Sequence, residues 1–332
     1  MTCSDSAPEC VQDASTSAPA SAAPPLEIAR DIDHYTGNID TDRDVIVRGS
    51  ILDLFQVSVG GNLTVEKMVE AATVRCKGNL TVNGGVLGKD KGIYWVGGNL
   101  HARCLSNAHI EVEGDIAVKA EIRNCNIRCG GKLVIQSGSL FAGHVSAIGG
   151  ICCNTLGCPS ALPTVVEAGC DHAFFQLVQG SIAQIHQVSQ KVARTRGLVE
   201  PLMRNQKALT AQQKERATEL LFQAGELAEQ IAGKMAELKR GYDRILTNGR
   251  GEISVSGVLH PGVVIRFPAM EAVVAGTVRG PVQIVPQCDN SQKRIVIVSS
   301  AGPTTPLATR ISGENPMDLL RKLFDHAAVQ QP

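Results

Sequence analysis

Short tracts with alternating apolar and polar residues recur along the first half of the chain. Each tract begins at a glycine and places apolar residues two and four positions later. The glycines lie 16 to 20 residues apart, at Gly61, Gly78, Gly98, Gly114, Gly131 and Gly149. Alternation with a period of two is typical of strands that bury one face. Short strands that return at such a spacing predict a parallel β-helix.

Two further sets of apolar positions complete each repeat. One is a pair just before the glycine, such as Val57 and Val59. The other follows the glycine by about eight residues, as at Val69 and Ile122. We therefore expect three short strands per turn. The residue after the glycine is often Asn or Asp, at Asn62, Asn79, Asn99 and Asp115. Both types tolerate positive φ, and stacked turns could align them in a side-chain ladder.

A different period replaces the alternation after Pro159. Apolar residues are now spaced three and four apart from Phe175 to Val192, and again from Ala217 to Ile245. This heptad pattern predicts an antiparallel coiled-coil hairpin, with the helices joined near residues 198–208. The strand pattern then returns at Gly251. We expect the hairpin to be inserted into the β-helix, although a separate small β domain would also fit.

The fold class is thus mainly β, a parallel β-helix with an inserted antiparallel α-helical hairpin. The expected boundaries are 1–30 for a disordered tail rich in Ala, Ser and Pro, 31–165 for the β-helix, 166–249 for the hairpin, 250–300 for continued β-helix and 301–332 for a tail with a short amphipathic helix.

Composition narrows the possible functions. The chain has 32 basic and 32 acidic residues, so it has no general attraction for nucleic acid or anionic membranes. Aromatic residues make up only 3% of the chain, which argues against stacking platforms. No apolar stretch is long enough for an integral membrane segment. The 11 cysteines are scattered and no signal peptide precedes them, which favours a reduced, cytoplasmic protein.

Four motifs in a fixed order resemble one known family. They are IDHYTGNI at 32–39, the repeated GGNL tetrapeptides, GCPS at 157–160 and HPGV at 260–263. Together they resemble the bacterial flagellar assembly protein A family, over roughly residues 31–300. The resemblance implies a right-handed β-helix with an inserted coiled coil, no catalytic activity, and a part in flagellar or cell-surface assembly. A more distant likeness is to bactofilins, whose β-helices polymerise end to end.

One difference from the family limits what the resemblance implies. Its members usually have a sizeable N-terminal domain with binding roles, and only the low-complexity segment precedes Asp31 in this sequence. Interactions that belong to such a domain are therefore not expected of this chain.

Several residues could support chemistry, but each has a simpler explanation. Cys152, Cys158 and Cys170 could bind Zn²⁺, yet the tight CxxC pairs of zinc ribbons are absent, so we expect neither a metal nor a cofactor. The acidic residues Asp40, Asp42 and Asp44 lack the pattern of a calcium loop, and a solvated strand face explains them. The histidines His101, His109 and His144 have no evident shared partner. The alternative function is a β-helix enzyme acting on a polysaccharide or as an acyltransferase.

We expect a non-enzymatic scaffold that associates with itself or docks protein partners. Trp95 lies between two inward positions and should point outward, either as a contact residue or partly covered by the loop at 87–92. The heptads either close the hairpin or pair with another chain. The candidate contact residues are Trp95, Ile182, Ile185, Leu227, Ile231, Leu320 and Phe324, and the structural turn glycines are Gly61, Gly78, Gly98, Gly114, Gly131, Gly149 and Gly251.

Overall fold

The computed structural model describes residues 24–169, 172–204, 210–247, 251–289, 292–299, 304–311 and 316–329. Its main body is a coil of parallel strands with about eight turns, which confirms the predicted fold class. Each turn has three sides, because the alternating segments bend at turn residues between one strand and the next. The inward positions stack in columns of Val, Leu, Ile and Ala and form one continuous core.

The first sheet contains the strands that precede the turn glycines. They are β2 (Ile39–Thr41), β4 (Gln56–Val59), β6 (Thr73–Cys76), β8 (Ile93–Val96), β10 (His109–Val112), the second halves of β11 (Ile116–Cys129) and β13 (Ser139–Ala147), β15 (Thr164–Ala168) and β17 (Val263–Phe267).

The second sheet contains the strands that follow the glycines. They are β1 (Leu26–Ile28), β3 (Val45–Val47), β5 (Leu63–Val65), the first halves of β7 (Leu80–Leu87), β9 (Leu100–Ser106) and β11, β12 (Leu133–Ile135), β14 (Ile151–Leu156) and β16 (Ile253–Leu259). The third side is narrow and starts with single bridges between Ile32, Ile51, Val69 and Val86. β1 lies inside the segment expected to be a tail, because three residues are too short a run to show the strand pattern.

The turn glycines are required by close approach. A Cβ on Gly114 would lie 2.2 Å from Asn99 Oδ1, because that oxygen accepts a hydrogen bond from the backbone N–H of Asp115 at 2.8 Å. The same bond joins Asn79 to Asn99 one turn earlier. The side-chain ladder thus exists, and in it each side-chain oxygen accepts a hydrogen bond from a backbone N–H of the next turn. Of the seven predicted glycines only Gly251 has positive φ. The ladder Asn and Asp residues all have negative φ.

Positive φ occurs instead at the corner between the third side and the first sheet. Asn107, Asn124 and Ala142 stack there on successive turns with φ of 50°, 49° and 57°. Asn is enriched in this left-handed conformation. The expectation of positive φ after the glycines therefore had the right residue type at the wrong corner.

The inserted hairpin consists of α1 (His172–Arg204) and α2 (Ala211–Thr247), and we call it the arm. The helices are antiparallel, because Lys234 Nζ donates to Gln184 Oε1 at 3.0 Å and Gly241 lies beside Phe174. α1 continues through Pro201, so it is about 50 Å long. The helix therefore extends into the segment 198–208, where the junction of the two helices was expected. α3 (Pro316–Val329) packs against the base of the arm through Leu320 and Leu323.

The coil ends differently from what the sequence indicated. β16 and β17 stack in parallel on β14 and β15, but β18 (Met270–Val273), β19 (Val278–Arg279), β20 (Val282–Asp289), β21 (Gln292–Ser299), β22 (Thr305–Pro306) and β23 (Thr309–Ile311) all pair antiparallel. β18, β19 and β20 cover the free edges of the last turn. Of the segment expected to continue the parallel coil to residue 300, only β16 and β17 do so, and the strands after them close this end. The sequence could not show this, because apolar and polar residues alternate in the same way in parallel and antiparallel strands.

Candidate functional site

A groove runs along the first sheet beside the base of the arm. Its floor follows one outward column of the sheet, in which neighbouring strands place Trp95, Glu111, Arg128, Ser146 and Glu167 in register. Four strand spacings of about 4.8 Å make this column about 19 Å long. The cavity volume is about 280 Å³. We call it the axial groove, and its remaining lining residues are Val112, Glu113, Asn126, Ile127, Cys129, Gly130, His144, Ile148 and Arg244.

The arm side of the groove is held by one arginine. Arg244 of α2 donates from Nη2 to the carbonyl oxygen of Glu113 at 3.1 Å. A Cβ on Gly130 would lie 2.0 Å from this nitrogen, so only glycine leaves room for the guanidinium. Beside it, Phe175 and Ile245 of the arm bury their side chains with Ile148 of the coil. A charged hydrogen bond and a small apolar contact therefore fix the base of the arm.

Glu167 closes the groove at the other end. Its side chain is only 2% exposed although it occupies an outward position. Oε1 accepts a hydrogen bond from Arg266 Nη1 at 3.1 Å, and Arg266 Nε donates to Glu271 Oε2 at 2.7 Å. His144 Nε2 lies 2.9 Å from the same Oε1 but is not aligned for a hydrogen bond. Burial alone would raise the pKa of Glu167, yet His144 and Arg266 together lower it, which keeps the carboxylate ionised.

Nothing in the sequence indicates that His144 and Glu167 meet. They are 23 positions apart, on adjacent strands β13 and β15, and the register of these strands decides the contact. A clue was available in Glu167 itself, since it is the charged residue in the apolar run TVVEA. His101 and His109 lie on other turns, in β9 and β10.

The predicted contact residues occupy two kinds of position. Trp95 points outward and is half-buried at the end of the axial groove. Leu227 on α2 is half-buried. The other five belong to the apolar cluster at the base of the arm, where Tyr242 and Phe324 pack edge to face with ring centroids 5.5 Å apart. These five are Ile182, Ile185, Ile231, Leu320 and Phe324.

The remaining candidates are the acidic residues near the first turn and the cysteines. Asp44 starts the ladder, because its Oδ1 accepts a hydrogen bond from the backbone N–H of Asn62 at 2.7 Å. Asp40 and Asp42 are exposed. Cys152 and Cys158 are half-buried free thiols, while Cys170 lies outside the described residues. Within the part of the chain that the structure describes, no group of three or more His, Cys, Asp or Glu side chains could hold a metal ion.

The stacked parallel turns and their laterally attached arm define a β-solenoid protein. The family model described as Flagellar Assembly Protein A (FapA) beta solenoid domain matches residues 24–290, and the chain belongs to this family. The match confirms the resemblance seen in the sequence motifs. Neither the curated proteins nor the solved structures include a significant match. None of the described helices combines the length and hydropathy that a bilayer-spanning helix requires.

Proposed function

We propose that this protein is a non-enzymatic scaffold of flagellar or cell-surface assembly that docks a strand of a protein partner on its first turn. The family supports a role in assembly. The observation that carries the docking proposal is the difference between the two ends of the coil. At one end antiparallel strands cover the last turn, while at the other end, among the described strands, β1 pairs only with β3 and β2 only with β4. Among the described residues, no strand covers the outer edges of β1 and β2.

The groups that face this open edge follow from the hydrogen bonding of parallel strands. Leu26 donates to Asp44 and Ile28 accepts from Arg48, so the backbone of Glu27, which lies between them, points away from the coil. The backbone of Asp40 in β2 points the same way, because its neighbour Thr41 accepts from Gly60. An exposed edge of this kind is a template for an added strand.

Charge decides between a partner strand and a second copy. Residues 26–44 contain six acidic and two basic residues, a formal charge of −4. Two such turns brought together would repel each other, whereas a basic strand would be attracted. The scaffold therefore prefers a basic extended segment of a partner, and association of the coil with itself is the competing outcome.

The test uses a short peptide in which Val and Lys alternate, with a Val and Glu peptide as its charge control. We expect the basic peptide to bind the full chain in isothermal calorimetry, with an affinity that falls as salt is added. The double variant Glu27→Pro with Asp40→Pro should lose binding, because proline removes the two outward N–H groups that the coil does not use. The control variant Glu27→Gln with Asp40→Asn keeps those groups and should retain part of the binding.

Two results would contradict this proposal. One is unchanged binding by the proline variant. The other is growth of the protein alone into oligomers, seen by light scattering over a concentration series, which would favour the bactofilin-like alternative. Repeating both assays after replacing residues 172–247 with a short Gly-Ser link tests whether the arm contributes.

The arm is a second docking element in this proposal, and the observation behind it is a set of exposed apolar side chains. Leu198 is 71% exposed and Phe222 is 67% exposed, and both lie on the half of the arm away from the coil. Ile185, in contrast, is buried in the base of the arm. We expect Leu198→Ser with Phe222→Ser to weaken partner capture. The same change at Ile185 should instead destabilise the fold.

A further inference from the structure

One atom at the closed end of the axial groove lacks a partner. Glu167 Oε2 is buried and accepts no hydrogen bond from any described residue. Buried polar atoms are nearly always paired, because an unpaired one has lost its contact with water and gained no partner in return. His144 Nε2 beside it is also buried without a hydrogen bond. Glu167 lines the groove, so a donor that enters there can pair with this acceptor after a small shift of the side chains around it.

The charges around Glu167 do not balance. Among the described side chains that are always charged, Glu167 and Glu271 share the cation Arg266, which leaves one negative charge that only a protonated His144 would offset. Elsewhere in the groove the charges are matched, since Arg128 pairs with Glu111 at 3.3 Å. Arg244 and Glu113 contribute one charge of each sign, although Arg244 contacts the backbone carbonyl of Glu113 and not its carboxylate. One added cation that donates an N–H would neutralise the cluster and satisfy Oε2.

We propose that the axial groove binds a lysine or arginine side chain of a protein partner, with its cationic group on Glu167 Oε2. The volume of about 280 Å³ suits one long side chain together with part of its backbone. The methylene stem would lie along the floor beside Ser146 and Arg128, where the methylene groups of Arg128 offer apolar contact. The 19 Å length of the column leaves room for the flanking residues of an extended segment.

This site is separate from the edge of the first turn. β2 and β15 are the first and the eighth strands of the nine in the first sheet, so occupancy of one site does not require the other. The proposal thus does not depend on strand docking at Glu27 and Asp40. Either of the two proposals can fail while the other holds.

The experiment compares two capped amino acids of nearly the same shape, of which only one has a charged side chain. N-acetyl-arginine amide and N-acetyl-citrulline amide are titrated into the full chain, and the ring resonance of His144 is followed by NMR. The resonance is assigned by its loss in His144→Gln. We expect a saturable shift with the arginine compound and at least tenfold weaker binding of citrulline. Glu167→Gln should abolish the shift, whereas Glu113→Gln, an exposed carboxylate in the same groove, should retain it.

Four outcomes would overturn the proposal. They are no shift with the arginine compound, equal binding of citrulline, retained binding in folded Glu167→Gln, and a change in the fluorescence of Trp95, about 19 Å away, at the same concentrations. Agmatine serves as a free amine control, and much tighter binding of agmatine would assign the site to a small molecule. If Glu167→Gln does not fold, the comparison of arginine with citrulline on the unaltered chain decides.

Discussion

Replacing a ladder glycine by alanine should destabilise the coil through one identifiable atom. A Cβ on Gly61 would lie 2.0 Å from Asp44 Oδ1, whereas the nearest backbone atom, the nitrogen of Asp44, is 2.9 Å away. The carboxylate must therefore turn aside and give up its 2.7 Å bond to the backbone N–H of Asn62. Hydrogen bonds to charged groups contribute about 1.5–3 kcal/mol, and the remaining crowding adds about 1 kcal/mol. We expect Gly61→Ala to lower the free energy of unfolding by about 2–4 kcal/mol.

A double-mutant cycle isolates the proposed cause. Asp44→Ala removes the oxygen and by itself should cost about 1.5–3 kcal/mol. Once the oxygen is gone, Gly61→Ala meets only the backbone atoms, so its additional cost should fall to about 1 kcal/mol. The two single costs should therefore exceed the cost of the double variant by about 1–3 kcal/mol.

The measurements are urea unfolding followed by circular dichroism, and amide exchange at Asn62. Repeat proteins often do not unfold in one step. Amide exchange at Asn62 reports on local opening and is valid in either case. Gly197→Ala is the control, because nothing lies within 4 Å of its Cβ and alanine in a helix should gain about 1 kcal/mol. Additive single costs, or an Asn62 amide that stays protected in Gly61→Ala, would refute the reasoning.

Three other predictions concern the thiols, the base of the arm and acid stability. Burial raises the pKa of Cys76 and Cys125 to about 11 and that of Cys129 and Cys153 to about 12, so iodoacetamide should label these four only after unfolding, as mass spectrometry can check. Gly130→Ala should displace Arg244 and increase amide exchange in the last turns of α2, whereas Gly225→Ala, which has open space, should not. The pKa of Glu167 is lowered from 4.5, so its ion pairs stabilise the fold above that pH and lose this contribution as the pH falls through the lowered value. The drop in melting temperature towards acid pH should therefore be smaller in Glu167→Gln, and an equal drop would contradict this account.

The sequence predicts the repeating part of the fold well because its signal is local. Alternating apolar positions identify the strands, and regular spacing places Val57 above Ile39 and below Val74 without further information. The heptads likewise place the arm between two strands of the coil. The antiparallel end is missed because alternation does not record strand direction, and only pairing partners distinguish β20 from another turn.

The axial groove could not be predicted, since it depends on distances between elements. Arg244 meets Glu113 across 131 positions, and nothing in either segment indicates the other. The role of the ladder residues was missed for a similar reason. Asn and Asp next to glycine suggested a special backbone conformation, but their hydrogen bonds depend on the distance to the next turn of the coil, which the local sequence does not show.

The junction between coil and arm affects how related proteins can vary. Gly169 and Gly251, where the chain leaves and rejoins the coil, both have positive φ, and a Cβ on Gly251 would lie 2.1 Å from the nitrogen of Gly169. The two ends of the insertion thus touch. Whole heptads can be added to or removed from both helices without moving any strand. The distance that the arm reaches into its surroundings is therefore free to evolve independently of the coil.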